Sequence, residues 1–454
     1  MPSESNRGIT MQKEYYYRLK DEMMETLIKT LSIDTVRTAP ADGAPFGKGV
    51  ADCLAFVLDV AKKMGFETYN CDNYAGHVEF GDGEEIVGVL GHLDVVPVTD
   101  GWTTPPFTPT IRDGKLYARG ASDDKGPMIA CLYALKALKD SGFKPSKRIR
   151  LIFGCDEETN MECVKYYKTK MPLPDVAFSP DGDFPVINIE KGIYAFDLDV
   201  GELPKEIKQM HAGTRVNVVP DLCEVTLCGC VDENLIKKSG IEYEKNEDGC
   251  YRLTTRGVSC HGASPYLGKN ATWQMFEGLS VIFPDSETLR FVADKMCKDV
   301  YGEKWGFALH DQPSGKITHN IGVVDLVDGH LKIKLDVRFP VTFKSDFVRE
   351  CLLSNSIASL KIDQSHIKEP LFVKADEPLV VSLLKIYNDF TGSNALPLAI
   401  GGGTYSRVLP KCVAFGPAFP GEMTAIHEKD EWISLENLDK MALMYAQAIE
   451  ELAK

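Results

Sequence analysis

The chain has 454 residues, a formal net charge of −15 and a sequence pI near 5.2. It is longer than one ordinary hydrophobic core, so two or three domains are expected, and its 44% of hydrophobic residues excludes a disordered chain. An acidic surface repels nucleic acid and anionic lipid, so the sequence predicts neither as a partner.

Two further observations bear on where the protein works. The stretch Met1–Lys20 is polar and has no apolar centre, so no secretory signal is expected. No apolar run approaches the roughly 18–20 residues that a membrane span needs. The sequence therefore predicts a cytoplasmic protein that does not insert into a membrane.

The thirteen cysteines are scattered along the chain, and most lie in apolar runs. A chain of this length does not need disulfides for stability, so all of them are expected to be reduced thiols in a reducing compartment. Cys228 and Cys230 form a C-x-C in a strand-like run over Glu224–Val231. Because no second pair lies nearby, a structural zinc site is not expected there.

The first part of the chain alternates predicted helices and strands. In chain order these are a helix over residues 11–31, a buried strand over Glu85–Leu90, a helix over Lys125–Asp140, a strand over Arg148–Phe153 and a short strand over Val176–Phe178. Such alternation is typical of an α/β sheet that is covered on both faces.

From about Ile193 to about Lys374 the pattern changes to short alternating runs with helical pieces between them, which predicts an α+β insert. The predicted strands are Tyr194–Val200, Cys223–Val231, Tyr251–Thr255 and Leu331–Val337, and the predicted helices are Thr272–Val281 and Ser286–Asp299.

After the insert, the sequence predicts a helix over Pro378–Phe390, a strand over Cys412–Phe415 and a closing helix over Ser434–Lys454, with Ser434 as its N-cap. One α/β domain, formed by residues 1–192 and 375–454, is therefore expected to be interrupted by a second domain over residues 193–374.

Chemically versatile side chains follow several of these strands. His92 comes directly after a buried strand, and Asp94 follows two residues later, so in an extended chain Asp94 can reach the His92 ring and fix its tautomer. The adjacent acids Asp123 and Asp124 precede the helix over Lys125–Asp140, where they could either cap the helix or bind a metal.

Acids also follow the predicted strands over Arg148–Phe153 and Val176–Phe178. A histidine follows the last predicted strand, over Cys412–Phe415. Ligands in open α/β sheets gather at the carboxyl ends of strands, so these side chains are expected to lie together. The candidates are Glu157, Glu158, either Asp181 or Asp183, and His427. One glutamate could bind metal while its neighbour stays free as a general base. Two histidines with several carboxylates suit Zn²⁺, Mn²⁺ or Co²⁺ better than an all-oxygen Ca²⁺ or Mg²⁺ site.

Taken in order, these motifs resemble the M20 metallopeptidases, most closely the PepV-like dipeptidases of the Xaa-His and carnosinase type. The segments that carry the resemblance are Gly91–Pro97, Gly101–Phe107, Arg119–Pro127, Asp156–Glu158, Pro180–Asp181, Gly401–Tyr405 and the stretch around His427. The resemblance covers nearly the whole chain. It implies a mixed-sheet, zinc-exopeptidase-like catalytic domain of α/β class with an inserted α+β lid domain.

The resemblance also implies roles for individual residues. Asp123 would bridge two divalent metal ions, and a cis peptide bond would follow it. His92 and Asp181 would complete one metal site, and Glu158 and His427 the other. Asp94 would orient His92, and Glu157 would be the general base.

In the lid, the resemblance assigns His261 to the stabilisation of the oxyanion. It assigns Asn217, Arg338 and Gly402 to substrate contacts. Arg338 would bind a free carboxylate through two hydrogen bonds. From the residues alone, the simpler interpretation of Arg338 is an outward charge on a strand.

The sequence therefore predicts a dinuclear metal hydrolase, with Zn²⁺ before Mn²⁺ or Co²⁺, that cleaves the amide bond of free dipeptides. The metals would activate a water, and Glu157 would take its proton. An N-acyl-amino-acid deacylase of the same superfamily and a non-catalytic metal-binding scaffold are the alternatives. A lid of this length resembles the PepV type, in which one chain supplies the whole site, so a monomer is expected.

Overall fold

The computed structural model describes residues 4–409 and 411–454, with the backbone alone for residues 4–12. The chain forms two compact units. Unit 1 comprises the residues up to Asn188 with Val373–Leu398 and Gly403–Lys454, and unit 2 comprises Ile189–Phe372 and Ala399–Gly402. The predicted domain boundaries at 192/193 and 374/375 lie a few residues from these limits. The prediction on a secretory signal falls partly on residues 1–3, which lie outside the described residues.

The α-helices in the described residues are α1 (Glu4–Leu31), α2 (Lys48–Lys63), α3 (Lys125–Asp140), α4 (Glu162–Lys170), α5 (Glu233–Ser239), α6 (Ala271–Ile282), α7 (Glu287–Phe291), α8 (Ser345–Ser354), α9 (Pro378–Thr391) and α10 (Leu435–Leu452). Six of these ten described α-helices lie where a helix was predicted, whereas α2, α4, α5 and α8 were not predicted. Ser434 caps α10 as predicted, because its hydroxyl accepts the backbone N–H of Asn437 at 3.3 Å. None of the helices named here combines the length and apolarity that crossing a membrane requires.

The strands are short and numerous. They are β1 (Glu67–Cys71), β2 (Ala75–Phe80), β3 (Ile86–His92), β4 (Thr110–Arg112), β5 (Lys115–Tyr117), β6 (Arg148–Gly154), β7 (Val176–Ser179), β8 (Ile187–Glu190), β9 (Gly192–Glu202), β10 (Ile207–Ala212), β11 (Leu222–Leu227), β12 (Glu242–Lys245), β13 (Tyr251–Arg256), β14 (His310–Asp311), β15 (Gly315–Lys316), β16 (Thr318–Val327), β17 (His330–Phe339), β18 (Lys361–Lys368), β19 (Leu371–Phe372), β20 (Leu398–Ile400), β21 (Cys412–Ala414) and β22 (Trp432–Ser434).

The main sheet of unit 1 contains the row β1-β2-β6-β3-β7-β21-β8. In this row β3 is parallel to β6 and β7, and β21 is parallel to β7. Every residue of β3 is buried, and because successive side chains alternate between the faces of a strand, the sheet is covered on both sides. The carboxyl ends of β3, β6 and β7 therefore meet at one edge of the sheet.

A separate three-stranded sheet of unit 1 contains β22, β5 and β4. Trp432 lies opposite Tyr117, and just beyond this pair the N–H of Ala118 donates to the carbonyl oxygen of Glu431 at 3.1 Å. This pairing brings the segment before α10 alongside the segment that leads into α3.

Unit 2 contains an antiparallel sheet in the order β12-β13-β11-β10-β16-β17-β9-β18. Buried and partly exposed residues alternate along β9, which is the pattern of a sheet with one face on a hydrophobic core. That core joins side chains of the sheet to side chains of its helices, such as Phe196, Val225, Met275, Leu289 and Val348. The predicted fold class, α/β with an α+β insert, is confirmed.

The prediction that every cysteine is a free thiol is wrong for two of them, since Cys228 and Cys250 form a disulfide. The predicted strand over Glu224–Val231 ends early, at Leu227, and Gly229 follows with a φ of 106°. Leu227 pairs with Tyr251 across β11 and β13, so the next residues, Cys228 and Cys250, come to face each other with a Cα–Cα distance of 4.4 Å. This register could not be read from the scattered positions of the cysteines.

The predicted helix over Ser286–Asp299 is also shorter than expected. An α-helix covers Glu287–Phe291 and continues as a single π-helical turn over Val292–Met296. The hydrophobic periodicity that predicted a helix does not distinguish these two hydrogen-bonding patterns.

Candidate metal centre

His92 ends β3 and is fully buried. Its Nε2 lies 3.0 Å from Asp123 Oδ1 and 3.9 Å from Asp181 Oδ2. Its Nδ1 lies 2.9 Å from the backbone carbonyl oxygen of Asp94, which can only accept. The ring proton is therefore held on Nδ1, and Nε2 is the nitrogen that can bind a cation.

Asp123 presents one carboxylate oxygen to each of two histidines. Oδ1 faces His92, and Oδ2 lies 2.8 Å from His427 Nε2. The same His427 nitrogen lies 3.3 Å from Glu158 Oε1. The peptide bond between Asp123 and Asp124 is cis, as the resemblance implies.

Two groups of side chains could each hold a metal ion, and they share Asp123. The first contains His92, Asp123 and Asp181, and the second contains Asp123, Glu158 and His427, with the ligand atoms of each group within 4.8 Å of one another. Glu158 Oε1 is buried and lies 3.3 Å from His427 Nε2, so a cation bound between these two atoms would satisfy both of them. Imidazole nitrogens with carboxylate oxygens are suitable donors for Zn²⁺, Mn²⁺ or Co²⁺. These residues therefore fit two divalent ions.

His427 has an unusual backbone conformation. Its φ is 63°, in the left-handed region that non-glycine residues rarely adopt. Such conformations persist where the surrounding structure enforces them and are frequent at functional sites. The loop between β21 and β22 thus delivers this side chain to the acids that follow β6.

Asp94 acts on this cluster differently from the prediction. Its carboxylate oxygen lies 3.6 Å from His92 Nδ1, and its backbone carbonyl takes the hydrogen bond instead. The carboxylate accepts the backbone N–H groups of Glu157 and Glu158, both at 3.1 Å. The prediction assumed an extended chain, but β3 ends at His92, so the alternation of a strand no longer applies to Asp94.

Glu157 lies half-buried among other acids. Burial, followed by the negative charge of Asp181, raises its pKa well above the usual value. Burial and the charge of Asp123 likewise raise the pKa of Asp181 to about 7. Carboxyl groups with raised pKa values are suited to taking and releasing protons near neutral pH.

The two histidines hold protons between these acids in the metal-free protein. Hydrogen bonds to Asp123 and then Glu158 raise the pKa of His427 to about 11. Burial opposes protonation of His92, but the carboxylates of Asp123 at 3.0 Å and Asp94 at 3.6 Å raise its pKa well above the usual value. A divalent cation would take the place of these protons, so metal affinity is expected to fall as the pH falls.

The sequence left open which acid of each pair, Asp123 or Asp124 and Asp181 or Asp183, lies in the cluster, and the structure distinguishes them. Asp124 is fully buried, but its Oδ2 accepts the backbone N–H of His92 at 3.1 Å, and it belongs to neither metal-binding group. Asp183 is exposed, whereas Asp181 lies in the cluster. Asp123 and Asp181 are therefore the members of these two pairs that lie in the candidate metal-binding groups.

Sequence reasoning missed Glu431, which is fully buried beside the cluster. Its carboxylate accepts four N–H groups, all from the segment Arg119–Asp123. Its only sequence signal is its position four residues after His427, directly before the short strand β22. An acid in that polar run is more often solvent-exposed.

In unit 2, the loop that carries His261 lies against Asn217. The N–H of Gly262 donates to the carbonyl oxygen of Asn217 at 2.7 Å. A Cβ on Gly262 would come within 2.9 Å of the Asn217 carbonyl carbon and 2.8 Å of Asp336 Oδ2, so this close approach requires glycine. The N–H of Ala263 donates to Nδ1 of His261 at 3.1 Å, so the neutral ring carries its proton on Nε2.

Arg338 is buried in unit 2 and is not an outward surface charge. Its Nε and Nη2 donate to the buried carboxylate of Asp336, each at 2.9 Å, and its Nη1 donates to the Gly401 carbonyl oxygen at 2.8 Å. These bonds use three of the five guanidinium N–H groups, so two remain for a ligand. Gly402, the predicted substrate contact, follows directly after Gly401.

A comparison with protein-family models decides the family. Residues 88–451 match the model of peptidase family M20/M25/M40. The chain belongs to this family. The matched range contains the described metal-binding groups of unit 1, and in unit 2 it contains the loop that carries His261 and the strand β17 that carries Arg338.

Curated relatives of this M20 peptidase match over almost their full length. A protein of Bacillus subtilis (strain 168) named "Putative dipeptidase YtjP" is 39% identical, covering 96% of this chain and 98% of the relative. The Beta-Ala-Xaa dipeptidase of Lactobacillus delbrueckii subsp. lactis is 33% identical, covering 97% of this chain and 98% of the relative.

Solved structures share the fold of this M20 peptidase. Human carnosine dipeptidase 1 matches with a TM-score of 0.58 at 17% identity, covering 98% of each chain. The di-peptidase Dug1p from Saccharomyces cerevisiae matches with a TM-score of 0.59 at 15% identity, again covering 98% of each chain. At this level of identity the likeness shows the fold alone.

Proposed function

We propose that this M20 peptidase is a dipeptidase that uses two divalent metal ions to hydrolyse the amide bond of free dipeptides. The observation that carries the proposal is the shared carboxylate of Asp123, which faces His92 on one side and His427 on the other. The names of the two relatives given above support the substrate class. Two fitting ligand groups at the carboxyl edge of a sheet support the metal requirement.

The metals, bound by His92, Asp123, Asp181, Glu158 and His427, would supply Lewis-acid chemistry and lower the pKa of a water. Glu157 takes a proton from the attacking water and later delivers it to the leaving amine. Its raised pKa supports this role, and Asp94 holds its backbone in place.

We also propose that His261, Arg338, Asn217 and Gly402 contact the substrate, the roles that the resemblance implies. His261 donates from Nε2 to the developing oxyanion, which its Nδ1 contact with Ala263 supports. The two remaining N–H groups of Arg338 bind the substrate's terminal carboxylate, and Asn217 and Gly402 complete the contacts. We further propose that the enzyme is cytoplasmic, works as a monomer and prefers Zn²⁺.

A substrate panel on metal-stripped protein tests the proposal. Free dipeptides, including β-alanyl ones, and N-acetyl amino acids are offered after Zn²⁺, Mn²⁺ or Co²⁺ is added back separately. Hydrolysis of free dipeptides that depends on added metal supports the proposal. Hydrolysis of N-acetyl amino acids alone would identify a deacylase instead, and inactivity with all three metals would contradict a hydrolase.

A further inference from the structure

Glu431 lies outside both metal-binding groups, yet it is connected to the ligand that they share. Its side chain is 0% exposed. One carboxylate oxygen accepts the N–H of Ser122 at 2.9 Å and that of Asp123 at 3.1 Å. The other accepts Arg119 Nη1 at 2.7 Å and the N–H of Gly120 at 3.1 Å.

The chain topology brings Glu431 to this place. The pairing of β22 with β5 continues to the hydrogen bond between the N–H of Ala118 and the carbonyl of Glu431. Immediately afterwards the chain leaves the small sheet and runs through residues 119–124 into α3. Buried N–H groups need acceptors, and in this segment a single side chain supplies the acceptor for three of them.

The charge of Glu431 is compensated locally. Its carboxylate pairs with the guanidinium of Arg119 at 2.7 Å, and both side chains are fully buried. The ion pair of Glu431 with Arg119 adds no net negative charge to the cluster. An ionised carboxylate accepts stronger hydrogen bonds than a neutral group, so a carboxylate is well suited to fix the backbone of this segment.

We propose that Glu431 is a positioning residue for the dinuclear metal site and acts through the backbone of Asp123. Its carboxylate accepts hydrogen bonds from the N–H groups of Ser122 and Asp123. These bonds fix the backbone so that one Asp123 oxygen faces His92 and the other faces His427. Because both metals share Asp123, loosening this anchor weakens both sites together. The inference rests on the proposed function only in that the chain binds two metal ions.

The test is metal binding by Glu431→Gln, with Glu79→Gln as the matched control. Glutamine keeps the size of the side chain but turns one acceptor oxygen into a donor, which must then face other donors. Glu79 receives Nε and Nη2 of the buried Arg150 at 2.7 Å and 2.6 Å in the same unit, without any contact to Asp123. Both variants lose part of a buried ion pair, so they share any general loss of stability.

The affinity for Zn²⁺ is measured without substrate, by competition with a chelator of known affinity, together with the melting temperature of the metal-free protein. We expect Glu431→Gln to lower the affinity of both sites by about 10–100-fold, the usual effect of losing a partner that orients a metal ligand. Glu79→Gln should change the affinity for Zn²⁺ by less than about twofold, because Glu79 contacts no residue of the two metal-binding groups. The absorption bands of bound Co²⁺ should shift in Glu431→Gln alone.

Wild-type affinity and an unchanged Co²⁺ spectrum in Glu431→Gln would overturn the proposal, and so would an equal loss of affinity in both variants. If Glu431→Gln does not fold, Glu431→Asp serves instead: it keeps the charge, withdraws it from the loop, and should show a smaller loss in the same direction. A wild type that binds two metal ions but cleaves no dipeptide would overturn the proposed function and leave this test intact.

Discussion

The carboxylate of Asp94 accepts the backbone N–H of Glu157 at 3.1 Å. The second oxygen of this carboxylate accepts the N–H of Glu158. The backbone carbonyl oxygen of Asp94 accepts the Nδ1–H of His92. One fully buried residue thus orients the proposed base and two proposed metal ligands. Five predictions follow from contacts of this kind.

Asp94→Asn should lower kcat while the substrate KM changes little. Asparagine offers one acceptor oxygen where two amide N–H groups need one each, so the Glu157–Glu158 turn loses part of its support. A loss of about 10–100-fold is expected from a change to such an orienting group. Steady-state kinetics with metal analysis checks this, and a variant with the wild-type rate would show that the contact is dispensable.

Glu157→Gln should remove the proposed base and leave the metals in place. The expected loss in kcat is about 10²–10⁴-fold, the usual contribution of general acid–base catalysis. Metal analysis should still find two ions per chain, since Glu157 belongs to neither metal-binding group. Glu162→Gln, at an acid that follows in the same segment, is the control and should keep its activity. Retained turnover in Glu157→Gln would mean that another group is the base.

Asp181→Asn and Asp183→Asn form a matched pair. Asp181 lies 3.9 Å from His92 Nε2 and belongs to a metal-binding group, whereas Asp183 is exposed. We expect Asp181→Asn to weaken binding of one metal by at least about tenfold, because the amide that replaces the carboxylate is a neutral ligand. Asp183→Asn should bind both metals normally. Isothermal titration with Zn²⁺ distinguishes the two, and the reverse result would reassign the ligand.

Arg338→Met should abolish the preference for a free terminal carboxylate. In the wild type, a dipeptide should be cleaved with a much higher kcat/KM than its C-terminal amide if, as we propose, the two remaining N–H groups of Arg338 bind the carboxylate. Arg338→Met should cleave the two substrates at similar rates, mainly through a raised KM for the free dipeptide. An equal loss on both substrates would instead indicate that Arg338 only supports the fold with Asp336.

His77→Gln should change how stability depends on pH. Burial, followed by the charge of Arg150, lowers the pKa of His77 to about 4, and Tyr167 Oη lies 2.7 Å from its Nδ1. Because the folded-state pKa lies below the unfolded value, the stabilisation is complete above pH 6.5 and is lost as the pH falls towards 4. The shift corresponds to at most about 3 kcal/mol.

Unfolding of metal-free wild type and His77→Gln should therefore be compared between pH 7 and pH 4. The excess free energy of unfolding of the wild type should shrink as the pH falls, because glutamine does not titrate. A difference that stays constant over this range would show that His77 does not contribute in its neutral form.

The sequence alone determined the fold class and supplied the residues that we propose for the site. Hydrophobic periodicity located α3 and the strands β3, β6 and β7, because a buried strand or a helix face leaves a local pattern. Acids or a histidine after each strand then pointed to one edge of a parallel sheet. From the residues themselves, however, Asp123 could not be separated from Asp124, nor Asp181 from Asp183.

Only the tertiary structure decided the contacts between distant segments. Hydrogen bonds depend on distances of a few tenths of an ångström, which no local pattern encodes. Glu431 meets Asp123 through the pairing of β22 with β5, and Cys228 meets Cys250 through the register of β11 and β13. Register and loop path are set by the packing of whole elements, so the partners of Asp94, Arg338 and Glu431 became visible only in the folded chain.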